Sequence, residues 1–121
     1  MKTALLLIAH GSRQNEANAD LRDIVAEMRK RGDFAVVEGA FLELAEPTIE
    51  ESGARCVDQG AKRVVMAPYF LSAGVHVRQD LTAIRQKLAT TFPDVDFRLA
   101  EPLGPHPFLL EIVAQRVREA T

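Results

Sequence analysis

The sequence predicts a three-layer α/β fold: an open, parallel, four-stranded sheet in the order 2-1-3-4, with helices on both faces. Three observations carry this. Leu5-Leu6-Leu7-Ile8-Ala9 is a short, continuous apolar run, the pattern of a strand buried on both faces. Apolar runs of strand length alternate with stretches of helical period four times, giving βαβαβαβα. Alternation of this kind implies right-handed crossovers and a parallel sheet. The first strand is the most uniformly apolar, which places it centrally.

Length and composition bound the rest. The chain has 121 residues, the size of one domain, and residues 1–121 are read as one unit. Its 47% hydrophobic and 26% charged content is that of a globular protein, not a disordered one. A net charge of -2 offers no basic field for nucleic acid, so any anionic ligand must be met by local Lys or Arg. The single cysteine, Cys56, forms no internal disulfide and no cysteine zinc site, and fits a reducing, cytoplasmic setting. The first apolar run is too short for a membrane span and reads as core strand, not signal peptide.

The elements follow in order. Gly11 and Ser12 turn the chain after the first strand, with Ser12 as the expected helix cap. Ala17, Leu21, Ile24, Val25 and Met28 fall at helical spacing, and Glu16, Asp20 and Asp23 belong to a solvated face. Gly32 ends that helix. Phe34 to Leu42 is the second strand, ending at Glu43. A helix starts near Pro47, through a Thr48–Glu51 capping box or with Pro47 at the first helical position, and runs to Gly60. Gly53 in its middle implies a close approach to the sheet. Val64 to Ala67 is the third strand, stopped by Pro68. The loop Tyr69 to His76 is unusually rich in large apolar residues. Val77, Leu81, Ile84 and Leu88 mark the third helix, and Val95 to Leu99 the fourth strand. After the rigid loop 101–107, Leu109, Ile112, Val113 and Val117 form the expected inner face of a last helix.

In an open parallel sheet, ligands bind outside the carboxyl ends of the strands. Three strand ends then bring His10, Ser12 and Arg13, Glu43 (with Glu46 close by), and His76 to one edge. Two imidazoles and a carboxylate suit a first-row divalent metal. Taken singly, each has a plainer role: His76 at a helix start, Glu43 as a solvated carboxylate, Glu46 as negative charge at a helix N-terminus, His106 as a turn residue between prolines, Cys56 as a small core residue.

Four blocks move the balance. They are Ala9-His10-Gly11-Ser12-Arg13 with Asn18, Phe41 to Pro47, Pro68 to Asp80, and Glu101 to Pro107. In kind, order and spacing they resemble the short-form CbiX-type sirohydrochlorin chelatases, class II chelatases related to ferrochelatases. The resemblance implies a chelatase-like half-lobe. It implies insertion of a divalent metal into sirohydrochlorin in cobalamin or sirohaem synthesis, with Co2+ the expected metal and Fe2+ or Ni2+ the alternatives. It implies His10 and His76 as metal-binding and catalytic histidines with Glu43 as carboxylate partner, and no cofactor beyond the metal substrate.

Ser12, Arg13 and Arg78 are then candidate contacts for the substrate's polar groups, and Tyr69, Phe70, Leu71, Ser72, Ala73 and Gly74 for its ring. Longer relatives hold two lobes around the substrate. One small lobe cannot cover a flat ring over a nanometre wide, so a homodimer is expected. Two readings from other classes stand beside this one. They are a divalent-metal carrier using the same ligands, and a flavodoxin-like binding domain without chemistry, which lacks here a glycine-rich phosphate loop.

Overall fold

A computed structural model describes residues 1–121. The elements are β1 (Thr3–Ala9), α1 (Asn15–Arg31), β2 (Val36–Phe41), α2 (Ile49–Asp58), β3 (Arg63–Pro68), α3 (Val75–Thr91), β4 (Asp96–Leu99) and α4 (Pro107–Ala120). The sheet is parallel throughout, in the order β2-β1-β3-β4. β1 is central as expected, and Ala4 to Ile8 are all buried.

Side chains alternate across each strand, so the sheet feeds two cores. On one face Leu6, Ile8, Val64, Met66 and Phe97 pack with Ile49 and Cys56 of α2 and Leu81 and Leu88 of α3. On the other, Leu5, Leu7, Val37 and Phe41 pack with Leu21 and Val25 of α1. α1 thus covers one face and α2 with α3 the other, as right-handed crossovers require.

Local signals explain most boundaries. Gly32 closes α1 in the left-handed conformation at φ 73°. Thr48 starts α2 with a complete capping box: its hydroxyl accepts from the Glu51 N–H, and the Glu51 carboxylate accepts from the Thr48 N–H. Two expectations need correcting. Ser12 does not cap α1. Gln14 holds that position without a side-chain bond, and the Ser12 hydroxyl instead accepts from the Gln14 N–H at 3.1 Å, a tight turn before the helix. Gly53 does make room, but for α3: a Cβ there would meet the Leu88 side chain at 3.0 Å, so the close neighbour is a helix rather than the sheet.

The largest departure is α4. Its expected inner face, Leu109, Ile112, Val113 and Val117, is not an inner face. No α4 residue is buried, and Phe108, Leu110, Ile112, Val113 and Val117 stand exposed. The neighbouring flank of the sheet carries charge. With Val64, Met66 and Phe97 turned to the α2–α3 core, Arg63, Asp96 and Arg98 face the α1 side. Asp96 accepts from Arg63 at 3.1 Å and from Arg98 at 2.9 Å. Val65 and Ala67 share this face with them, so the flank is mixed rather than wholly apolar.

Candidate functional site

The site grows from the end of β1. The ladder between β1 and β2 continues two residues past the strands: Leu42 N–H donates to the Ala9 carbonyl and Glu43 N–H to the His10 carbonyl, at 2.9 and 3.0 Å. These bonds fix His10 and Glu43 side by side at the carboxyl edge of the sheet. His10 Nδ1 lies 3.9 Å from Glu43 Oε1, and both side chains are more than half exposed. The separation is too long for a hydrogen bond. It falls within the span of two metal–ligand bonds of about 2 Å each. Glu46, the alternative carboxylate, is exposed, and the ion-pair partner of His10 is Glu43.

Gly11 makes that pairing possible. Its φ is 98°, and a Cβ built there would lie 1.8 Å from the Glu43 carbonyl oxygen. Only a residue without a side chain lets the loop after β1 press against the loop after β2. Asn18, buried on α1, clamps the next residue from both sides. Its Oδ1 accepts from the Ser12 N–H at 2.9 Å, and its Nδ2 donates to the Ser12 carbonyl at 2.8 Å. The sequence marked Asn18 only through the resemblance, because a mid-helix Asn gives no sign of which loop it reaches.

His10 has an apolar wall. Its ring lies against Phe70, with centroids 5.2 Å apart and planes tilted by 31°. Phe70 is itself core, so it supports the histidine rather than offering a free face to a ligand. A cleft of about 280 Å³ opens beside them, lined among others by His10, Ser12, Asn18, Asp20 and Tyr69. Asp20 belongs to this cleft, although helical periodicity assigns it only to a solvated face.

The β3–α3 loop is braced by the segment after β4. Leu103 N–H donates to the Phe70 carbonyl at 2.9 Å, and Gly104 sits so close to the Leu71 carbonyl that a Cβ would come within 2.4 Å. Arg78 completes the brace, donating to the Ala73 carbonyl at 3.2 Å and to Glu101 at 3.1 Å. As a candidate substrate contact it is therefore partly engaged, whereas Arg13 is exposed and makes no side-chain bond within the chain. Leu71, Ser72 and Gly74 are exposed, and Ala73 half-buried. His106 caps α4 through Nδ1, which accepts from the Phe108 N–H at 3.1 Å.

His76 lies exposed in the first turn of α3. The sequence reading brings it to His10 and Glu43 as a third donor. Within the chain, no three His, Cys, Asp or Glu side chains are grouped to hold a metal ion. His10 and Glu43 are paired, and His76 forms no ion pair with Glu43. The 69–74 loop leaves β3, is tied to the segment after β4, and delivers His76 at the start of α3, as expected.

Comparisons with known proteins fit this frame. The family model for CbiX matches residues 4–120. The chloroplastic sirohydrochlorin ferrochelatase of Arabidopsis thaliana is 38% identical over 114 residues, covering 94% of this chain and 51% of that protein. The sirohydrochlorin cobaltochelatase of Methanopyrus kandleri is 32% identical, covering 97% of this chain and 96% of that one. The cobalt complex of the sirohydrochlorin chelatase SirB from Bacillus subtilis subspecies spizizenii superposes with a TM-score of 0.90 at 29% identity, over 98% of this chain and 51% of that one. The chain thus spans about half the length of several relatives and nearly all of another. With a family model running from the first strand through the last helix, the chain belongs to the CbiX family.

Proposed function

We propose that this protein is a chelatase that inserts a divalent metal into sirohydrochlorin. The observation that carries the reading is the His10–Glu43 pair, unbonded at 3.9 Å and open to solvent at the carboxyl edge of the sheet. Metalation removes two pyrrole N–H protons and places a dication in the ring. A neutral imidazole and a carboxylate can do both tasks the protein must supply: present a partly dehydrated metal and accept protons. General-base help of this kind is worth about 100- to 10,000-fold.

In this scheme His10 and Glu43 receive the metal, and His76 serves as a second histidine from the facing side of the ring. Arg13 anchors a substrate carboxylate, and Leu71 and Tyr69 contact the macrocycle. Ser12, Ser72, Ala73, Gly74 and the free N–H groups of Arg78 complete the ring's surroundings. Phe70 backs His10. The metal is Co2+ by first choice; relatives named for cobalt and for iron both support a divalent first-row ion. Two copies enclose the substrate, because one lobe offers only one wall to a flat ring. The reaction runs in the cytoplasm, in keeping with a single, buried, unpaired cysteine; no helix is long and apolar enough to cross a membrane.

The test is spectrophotometric metalation of sirohydrochlorin with Co2+, Fe2+ and Ni2+ in turn, against the spontaneous rate. Wild-type protein should accelerate at least one metal, and His10→Ala should remove most of that acceleration while the far-UV spectrum is unchanged. Metal binding without acceleration for any of the three would overturn the enzyme in favour of a metal carrier.

A further inference from the structure

Apart from Met1 at the N-terminus, the exposed large apolar side chains fall into two groups. One runs from Leu103 through α4. The other is at the carboxyl edge of the sheet, where Leu44, Leu71 and Val75 are 53%, 68% and 69% exposed. This second group flanks the candidate site. Leu44 follows Glu43 at the end of β2. Leu71 follows Phe70, whose ring lies against His10. Because β1 lies between β2 and β3, the loops carrying Leu44 and Leu71 leave the sheet on opposite sides of His10.

Leu44 has a second peculiarity. Its φ is 63°, and it is the one residue other than glycine in the left-handed region. A side chain with a Cβ is disfavoured there, and a turn that needs only this backbone shape would take glycine or asparagine. The loop is tied down on both sides of Leu44. Before it, the Leu42 and Glu43 N–H groups donate to the Ala9 and His10 carbonyls. After it, the Pro47 carbonyl accepts from the Phe41 N–H, and Thr48 caps α2. Leu42 packs against one core and Ala45 against the other, whereas Leu44 belongs to neither. The fold therefore gains little from the Leu44 side chain to offset the backbone cost. Strain kept in this way, by anchors on both sides, is characteristic of ligand sites.

We infer that Leu44 is a ring-contact residue: its side chain lies against the face of the tetrapyrrole beside Glu43. The inference rests on the chelatase reading and adds a residue to it. A tetrapyrrole is apolar over its face and acidic at its rim. Leu44 and Leu71 meet the face on either side of His10, and Arg13 meets the rim. Two apolar contacts on opposite sides of the metal pair keep the ring centred over it, so that the nitrogens lie within reach of the ion. Burying a whole leucine side chain is worth about 10- to 100-fold in an equilibrium. With about half of its surface free, Leu44 supplies roughly 4- to 12-fold of the ring's affinity.

The test is a titration of the metal-free protein with metal-free sirohydrochlorin, followed by absorption, beside calorimetric titration with Co2+ alone. Leu44→Asn suits the left-handed backbone and removes the apolar contact. It should melt no lower than wild type, bind Co2+ as wild type does, and bind sirohydrochlorin about 4- to 12-fold more weakly. Leu44→Met keeps an apolar side chain and should hold the ring affinity within about twofold. Wild-type protein that binds the ring, with Leu44→Asn binding it equally well, would overturn the inference and leave the chelatase reading standing. A Leu44→Asn protein that melts well below wild type, or loses Co2+ affinity in step with ring affinity, would also overturn it, because Leu44 then serves the fold or Glu43. So would a fall in sedimentation coefficient, which would assign the side chain to a contact between copies. Wild-type protein that does not bind sirohydrochlorin at all would overturn the chelatase reading and this inference with it.

Discussion

Gly11→Ala is the sharpest probe of how the site is held. Two costs are separable. The first is conformational: at φ 98° an alanine is strained by about 1–3 kcal/mol. The second is steric. The new Cβ would stand 1.8 Å from the Glu43 carbonyl oxygen, a backbone atom that cannot swing aside. The loops after β1 and β2 must separate by more than about 1 Å to approach an ordinary non-bonded contact. That movement strains the Glu43 N–H to His10 carbonyl bond and widens the His10–Glu43 gap beyond 3.9 Å. Overpacking of this kind costs about 1–3 kcal/mol more.

Gly32→Ala is the matched control. It sits at φ 73° with nothing within 4 Å of a built Cβ, so it carries the conformational cost alone. We predict that Gly32→Ala lowers the melting temperature by about 4–8 °C for each kcal/mol of that cost and leaves metalation unchanged. Gly11→Ala should lower it by roughly twice as much and reduce kcat/KM by about 100-fold, the scale expected of a 1 Å misplacement in a reacting pair. Calorimetry and the metalation assay read the two effects. A Gly11→Ala protein that melts with Gly32→Ala and retains its rate within threefold would show that the close approach at Glu43 does not hold the site.

Three further expectations follow from individual residues. Asn18→Ala removes both bonds to Ser12 and leaves part-buried backbone groups unpaired, so it should cost about 2 kcal/mol in denaturant unfolding and loosen the His10 loop. Glu51 is held below its ordinary value of 4.5 by the Thr48 backbone hydrogen bond, then by the Thr48 side chain, with Arg55 adding a smaller pull against slight desolvation. A lowered folded value means that this contribution is fully present above about pH 4.5 and is lost as pH falls through the folded value, so Glu51→Gln should flatten the acid side of the stability profile. Cys56 is pushed up to about 12 by burial, with the Glu38 carboxylate adding to it, so a disulfide reagent at pH 8 should modify it only as fast as the protein opens. Complete modification within seconds under native conditions would contradict that burial.

What the sequence made legible follows from how few ways a short apolar run can be used. Leu5 to Ile8 had to be a doubly covered strand, and alternation with helices then left little choice of order. Once β1 is central, His10 and Glu43 must be neighbours, because the parallel register that pairs Ala9 with Phe41 carries both chains past the sheet edge together. Side-chain bonds to distant backbone were not legible in the same way. Asn18 clamping Ser12, and Gly53 yielding to Leu88 rather than to the sheet, depend on where the helices finally lie. α4 shows the limit most clearly. Periodicity reports that a face is apolar, and it is silent on which surface covers that face. Here that face stays exposed in the lobe.

The His10–Glu43 pair by itself also bears on what the site is suited to do. Four protein ligands around one ion close a structural site, whereas a site meant for chemistry keeps coordination positions open. Two ligands on a solvent-facing edge leave most of the coordination sphere to water or to an incoming ligand. In the proposed reaction that incoming ligand is a ring of four nitrogens, and the metal must move into it. Binding the ion more tightly before transfer would lower the starting state without lowering the barrier's top, and would slow the step. In that scheme a loosely held ion between one imidazole and one carboxylate, 3.9 Å apart, is suited to handing a metal on. On this argument His76 acts best from a separate position, accepting a ring proton or contacting the metal only after it has left His10 and Glu43.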